Sequence, residues 1–438
     1  MIGSADAALA RTPRFEAEAE QAQALDRQWA AHSRRDLFHI PHGPAGTPVI
    51  YFCGHSLGLQ PKSAASAVAE VLDDWRELAV HGHFDARNPW YSYHEMFRET
   101  GARLVGARPG EVVMMNSLTT NLHLMMASFY RPKPERYKIL IEDSAFPSDA
   151  YAVQSQAAYH GYDPEQSIIV ARPREGEATL RLEDIEALLD ARGREIALVL
   201  LGGVNYFTGQ AFAIQRITER AHRQGCVVGF DLAHAAGNLV LELHDWEVDF
   251  AVWCSYKYLN AGPGAVAGCF VHARHGNDPS IPRLAGWWGN DPRTRFHMHA
   301  AATFQPRPGA DGWQLSNPPI LALAPLRASL EIFDAVGMER LRARSEMLTG
   351  YMEFLLGTVV GDGLEILTPP AAQERGCQLS IRVRDGAAQL VAALEQAGVV
   401  CDFREPDVLR VAPVPLYNTC EEIWRFSEIV RTSLGNRS

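Results

Sequence analysis

The chain alternates two hydrophobic periodicities over most of its length. Apolar runs of strand length occur at Tyr137–Ile141, Ile168–Val170, Ile196–Leu201, Val227–Phe230, Phe250–Cys254 and Val266–Val271. Helical patterns lie between several of them, such as Leu182, Ile185, Leu188 and Leu189, or Ile214, Ile217 and Ala221. Apolar strands alternating with amphipathic helices predict βαβ units around a mostly parallel sheet. The clearest helical pattern is at residues 63–80, with Val68, Val71, Leu72, Trp75, Leu78 and Ala79 on one face. Ahead of it, residues 1–12 read as a loose tail and Phe15–His32 as a mostly exposed helix. A Pro/Gly loop from Pro41 to Pro48 then leads to a short strand at Val49–Phe52. From about Pro325 the texture changes. Two helical patterns (Leu326–Phe333 and Met338–Leu356) precede short strands at Leu364–Leu367, Gln378–Val383 and Val408–Ala412, and terminal helices. The expected layout is a large α/β domain at 49–325, a small C-terminal α+β domain at 326–438, and an N-terminal tail and helix at 1–48 packing with the small domain.

In an open α/β sheet, ligand groups gather at the carboxyl ends of strands. Two consecutive strands here finish in complementary polar residues: Val227–Phe230 runs into Asp231-Leu-Ala-His234, and Phe250–Cys254 into Ser255-Tyr256-Lys257. Only four of the 41 basic residues are lysines, and Lys62, Lys133 and Lys138 sit in segments that read as exposed. Lys257 stands alone in an apolar run, where a desolvated lysine, unlike an arginine, can lose its proton. A carboxylate and a lysine on neighbouring strand ends are what a pyridoxal phosphate site requires: the lysine for the Schiff base, the carboxylate to keep the pyridine nitrogen protonated. A buried ion pair between Asp231 and Lys257 explains the same spacing. Asn116-Ser-Leu-Thr-Thr-Asn121 opens a helix whose inward face is Leu122, Met125, Met126 and Phe129, and so offers a phosphate its free N–H groups and hydroxyls. It is equally an ordinary cap. Ala145-Phe-Pro-Ser-Asp149 follows another strand and brings an aromatic face, a hydroxyl and a carboxylate to the same edge, or simply makes a turn. Four weak signals converge on one sheet edge.

Composition narrows the classes. With 438 residues, 47% hydrophobic, the chain can bury a sizeable core, and its net charge of −11 argues against nucleic acid or an anionic membrane surface as partner. Seven scattered cysteines without a Cys-x-x-Cys pair fit reduced thiols in the cytoplasm. The start lacks the pattern of a secretory signal, and Ala251–Val271, broken by Lys257, Asn260, Gly262, Pro263 and Gly264, is a poor membrane segment. His81-Gly-His83 and His297-Met-His299 suggest metal, but no Cys, Asp or Glu cluster completes a ligand set, so no metal site is expected. Gly262, Gly264 and Gly268 form no dinucleotide fingerprint.

Seven stretches together resemble kynureninase, a family of fold type I, aspartate-aminotransferase-like pyridoxal phosphate enzymes. They are Tyr51-Phe-Cys-Gly-His-Ser-Leu-Gly-Leu-Gln-Pro61, Phe146-Pro-Ser-Asp149, Gly229-Phe-Asp-Leu-Ala-His-Ala235, Trp253-Cys-Ser-Tyr-Lys-Tyr-Leu-Asn-Ala-Gly262, Gly286-Trp-Trp-Gly289, Ser316-Asn-Pro-Pro-Ile320 and Arg410-Val-Ala-Pro-Val-Pro-Leu-Tyr417. The resemblance implies Lys257 as the Schiff-base lysine, Asp231 facing the pyridine nitrogen with Asp149 nearby, Phe146 stacked on the ring, and His234 beside the cofactor. It implies Leu118, Thr119, Ser148 and Tyr256 at the phosphate, with Trp287 and Asn317 reaching the site from the other subunit of a homodimer. Arg410 would grip the substrate carboxylate, its neighbours Leu409 and Val411 pointing the other way along a strand. His83 would line the aryl pocket, with Ser56 and His55 in a loop near it. Gly202 and Asn290 depart from residues that some relatives carry, serine and histidine, so no side-chain role is expected of Gly202 and the Asn290 contact is in doubt. The implied reaction is hydrolysis of the Cβ–Cγ bond of L-kynurenine, and of 3-hydroxy-L-kynurenine, to anthranilate or its 3-hydroxy form and L-alanine, in tryptophan catabolism or NAD biosynthesis. Tyr256 is the candidate proton shuttle. The alternatives are another enzyme of the same fold (a cysteine desulfurase or an aminotransferase), a silent binding or regulatory protein, and a cofactor-free Schiff-base lyase.

Overall fold

The computed structural model describes residues 14–43, 46–300, 303–359 and 363–435. The expected tail at residues 1–12 lies outside them. By compactness the chain divides into Ser56–Met338 and a second unit made of Met1–His55 with Glu339–Ser438.

The larger unit is built on one sheet of β1 (Val112–Met114), β2 (Lys138–Glu142), β3 (Ile168–Ala171), β4 (Ile196–Gly202), β5 (Val227–Asp231), β6 (Phe250–Trp253) and β7 (Gly268–Val271). Their spatial order is β1-β7-β6-β5-β4-β2-β3. The run β3-β2-β4-β5-β6 is parallel, and β7 pairs antiparallel with both β6 and β1. Parallel neighbours need crossovers, and helices Pro147–Tyr159, Leu182–Arg192 and Ile214–Arg223 supply three of them. With helices covering the sheet, central strands become continuous apolar runs, and every residue of Ile196–Leu201 is buried. Strand β5 passes β6 closely because position 229 is glycine: a Cβ there would lie 2.1 Å from Phe250 Cζ.

The pattern placed six of these strands within two residues. It missed β1, whose three residues are too few to show a period. Two further expectations are corrected. The helix read at 63–80 is Ala64–Leu78, but its packed side is Ala64, Ala67, Val71 and Asp74, whereas Leu72 and Trp75 are 45% and 59% exposed. Lys138 is no surface lysine: it lies in β2, is 17% exposed, and pairs with Glu195 at 2.8 Å.

In the second unit, an antiparallel sheet runs in the order Asp402–Arg404, Val408–Val411, Leu379–Val383, Leu364–Ile366, and Ile50–Tyr51 pairs in parallel with Val399–Val400. The expected N-terminal helix is Ala19–Gln28. Its Ala22 and Leu25, with Trp29 just beyond, are buried in one core with Met347, Tyr351, Leu409 and Val411. Around Pro325 the reading needs revision. That proline lies inside one helix, Ile320–Val336, which belongs to the larger unit. Proline is disfavoured inside a helix but does not always end one, and here the helix runs through it.

Candidate active site

Four adjacent strands, β2, β4, β5 and β6, carry Glu142, Gly202, Asp231 and, four residues past the last, Lys257 at their carboxyl ends. A cavity partly open to solvent lies at this edge. Of the residues expected at a cofactor, Leu118, Thr119, Phe146, Ser148, Asp149, Asp231, His234, Tyr256 and Lys257 all line it.

One end of the cavity is built from two helix N-termini. Helix α1 (Leu118–Phe129) follows Asn116, whose φ is 49°. That turn is tied by Asn116 Nδ2 donating to Asn121 Oδ1 at 2.9 Å and Asn121 Nδ2 donating to the Met115 carbonyl at 2.9 Å. Leu122, Met125, Met126 and Phe129 anchor its inward face. Helix α2 (Pro147–Tyr159) starts on a proline, which has no N–H to leave unsatisfied. Thr119 Oγ1 and Ser148 Oγ meet at 2.9 Å, so hydroxyls from both first turns share one spot. Hydroxyls and free N–H groups at two helix N-termini suit a phosphate.

Lys257 is half-buried, with Nζ 3.0 Å from His234 Nε2 and 5.5 Å from the centre of the Phe146 ring. Its polar contact is thus an imidazole, and the closed Asp231–Lys257 ion pair is not what forms. Behind it lie three buried carboxyls. Asp231 Oδ1 accepts from Ala233 N at 2.7 Å. Burial raises the proton affinity of both Asp231 and Asp149, and Asp149 is raised further by the charge of Asp231. The Ala233 N–H favours the charged form of Asp231, and that charge in turn favours a proton on Asp149. Glu142 Oε1 accepts from Gly202 N at 3.1 Å, and burial pushes this carboxyl up to about 7. Burial, then the neighbouring Cys254, likewise pushes the Tyr256 phenol above its ordinary value, so it keeps its proton at neutral pH.

The cavity fits pyridoxal phosphate in its donor set: an amine, an aromatic face, an anion and a hydroxyl-lined cup. Asp149 Oδ1 is buried in the lining without a hydrogen-bond partner. At Gly202 a Cβ would sit 3.0 Å from Glu142 Oε1, so a side chain there would meet that carboxyl. Glu142 and Tyr206, which also lines the cavity, were not foreseen. Glu142 was legible, because it ends the run Ile139-Leu-Ile141 as Asp231 ends its own strand.

Other expected residues lie elsewhere. Trp287 is 36% exposed and edge-on to Trp288 at 4.8 Å, Asn317 and Ser56 are exposed, and His83 is half-buried against Trp90; none lines this cavity. His55 and Arg410 belong to the second unit. There Arg410, 2% exposed, donates from Nε to Asp402 Oδ2 at 2.7 Å, while Leu409 and Val411 face the core as expected. The Asn290 side chain is engaged locally, accepting from Gln305 N at 2.8 Å and donating to Thr294 Oγ1 at 3.1 Å. His81, His297 and His299 are exposed. Among the described residues a different group, Glu111, His244 and His272, brings metal-ligand atoms within 4.8 Å. Hydrogen bonds already engage it: Glu111 Oε1 accepts from Ala273 N at 2.7 Å and lies 2.8 Å from His244 Nδ1, and His272 Nδ1 accepts from Arg274 N at 3.1 Å.

Residues 341–430 match the family model of the kynureninase C-terminal domain. Kynureninase of Myxococcus xanthus (strain DK1622) is 57% identical over 412 residues, covering 94% of this chain and 96% of its own length. That of Koribacter versatilis (strain Ellin345) is 58% identical over 392 residues, covering 90% and 92%. Among solved structures, the apo cysteine desulfurase of Thermococcus onnurineus NA1 superposes with a TM-score of 0.73 at 17% identity, over 91% of this chain and 99% of that one. That likeness shows the shared fold.

Proposed function

Since the chain belongs to the kynureninase family, we propose that Lys257, Asp231 and Tyr256 carry its pyridoxal-phosphate-dependent hydrolysis of L-kynurenine to anthranilate and L-alanine. The observation that carries this assignment is one cavity that places the Lys257 amine, the Asp231 carboxylate and the two-helix hydroxyl cup on a single sheet edge. The bound cofactor supplies an electron sink for the carbon–carbon cleavage. Thr119, Ser148, Tyr256 and the first N–H groups of α1 would hold its phosphate. Phe146 would cover its ring, and Asp231 would keep a proton on the ring nitrogen. Asp149, itself protonated, supports Asp231 as the anion. Lys257 Nζ would hold the cofactor and, once free, would move the substrate's α-proton, with His234 Nε2 beside it. Tyr256 Oη, held as a phenol, returns a proton during cleavage.

Arg410 is assigned to the substrate α-carboxylate, since a guanidinium fork orients a carboxylate bidentately. Ser56 and His83 are assigned to the aryl end, where His83 and Asn317 would also hydrogen-bond a ring hydroxyl. Activity on 3-hydroxykynurenine, feeding NAD biosynthesis, is therefore part of the proposal; a strong preference in kcat/KM for the unhydroxylated substrate counts against it. Trp287 and Asn317 are assigned to the neighbouring subunit's site in a homodimer. Exposed Leu72, Trp75 and Leu321 support this, because an apolar surface of that kind marks an interface. The seven cysteines form no disulfide among the described residues, which suits the cytoplasm.

The test is anthranilate fluorescence on mixing the holoenzyme with kynurenine. Wild type should give product and Lys257→Ala none; an equal signal from the variant removes Lys257 from its role.

A further inference from the structure

The geometry points to a positioning residue outside the roles above: we propose that Tyr206 fixes the ring of Phe146 and so shapes the stacking face before the cofactor arrives. The inference rests on the reading of Phe146 as the ring that covers the cofactor.

Phe146 caps α2 from the loop that follows β2, and its side chain is 43% exposed, a poor setting for holding a ring at one angle. Tyr206 meets it edge to face, with ring centres 5.2 Å apart and planes at 83°. That arrangement matches the positive rim of one ring to the negative face of the other and resists rotation of either. Both rings line the same cavity, and Phe146 also faces Lys257 Nζ.

The two loops are fastened together beneath the rings. Asn205, 4% exposed, donates from Nδ2 to the carbonyls of Ser144 at 3.2 Å and Asp143 at 3.4 Å, reaching the loop that carries Phe146. Its Oδ1 accepts from the N–H groups of Phe207 and Thr208, both at 3.0 Å, which sets the turn that presents Tyr206. One buried amide therefore holds both rings in register. A face set in advance spares the ordering cost of binding.

The measurements are the pyridoxal phosphate dissociation constant, from absorbance titration of cofactor-stripped protein, and the visible circular dichroism of the reloaded enzyme. Tyr206→Ala should weaken cofactor binding about fivefold and change the dichroic band, whereas Tyr206→Phe, which keeps the ring, should match wild type. Tyr206→Leu fills the space without an aromatic edge and should behave like the alanine variant even if the latter folds poorly. Phe146→Ala is the reference. If it loses affinity and dichroism while Tyr206→Ala and Tyr206→Leu keep both, the role of Tyr206 is overturned. If Phe146→Ala itself changes neither, the stacking role of Phe146 falls, and this inference with it.

Discussion

Lys257 faces His234 and Phe146 rather than a carboxylate, which suits the role proposed for it, since a lysine locked to a carboxylate reacts poorly with an aldehyde. Buried acids lie near it, and among them Glu142 makes the stability of the fold depend on pH. Its carboxyl titrates near 7 in the folded chain, against about 4.3 when unfolded. The folded state therefore binds the extra proton between these values, so stability is highest below the unfolded value and falls as pH rises toward 7, by up to ~4 kcal/mol. Glutamine cannot ionise. The melting temperature of cofactor-free Glu142→Gln should accordingly gain on wild type from pH 5 to pH 7.5; a constant gap would contradict the burial of Glu142. At this scale the sequence was most informative where a polar residue ended an apolar run, as at Asp231 and Lys257. It was silent on Tyr206, because a ring-to-ring contact between two loops leaves no periodic trace.

At the scale of elements, the site depends on strand spacing. Gly229 stands two residues before Asp231, and its missing side chain makes room for Phe250 on β6. Gly229→Ala should force these strands apart, costing about 2 kcal/mol in urea unfolding and lowering cofactor occupancy as Asp231 shifts. An unchanged midpoint would show that the sheet absorbs the methyl group. Strands and crossover helices were legible because burial on both faces leaves continuous apolar runs. The side of Ala64–Leu78 that packs was not, since Leu72 and Trp75 look like core residues in any periodicity argument. Pro325 misled for a related reason: its helix begins at Ile320 and runs through it.

For the whole molecule, the proposed sharing of sites between subunits makes a quantitative prediction. Lys257→Ala lacks the amine of its own cavity, whereas Trp287→Ala lacks a residue lent to its partner's. If the two inactive variants are mixed and allowed to exchange subunits, half the dimers are mixed and each holds one complete site. About a quarter of wild-type activity per site should return. No recovery, with exchange confirmed by light scattering of tagged chains, would place Trp287 outside the shared site.

Sequence alone determined the α/β class, the strand ends that line the cavity, and the family, because these rest on local runs and on motifs that survive without coordinates. Tertiary structure decided which groups touch. That Lys257 faces an imidazole, that Asp149 and Glu142 join Asp231 in one buried acid cluster, that Asp402 engages Arg410, and that Tyr206 stands edge-on to Phe146 all depend on residues from different strands and loops. Their distances are set by packing, which no pattern along the chain records.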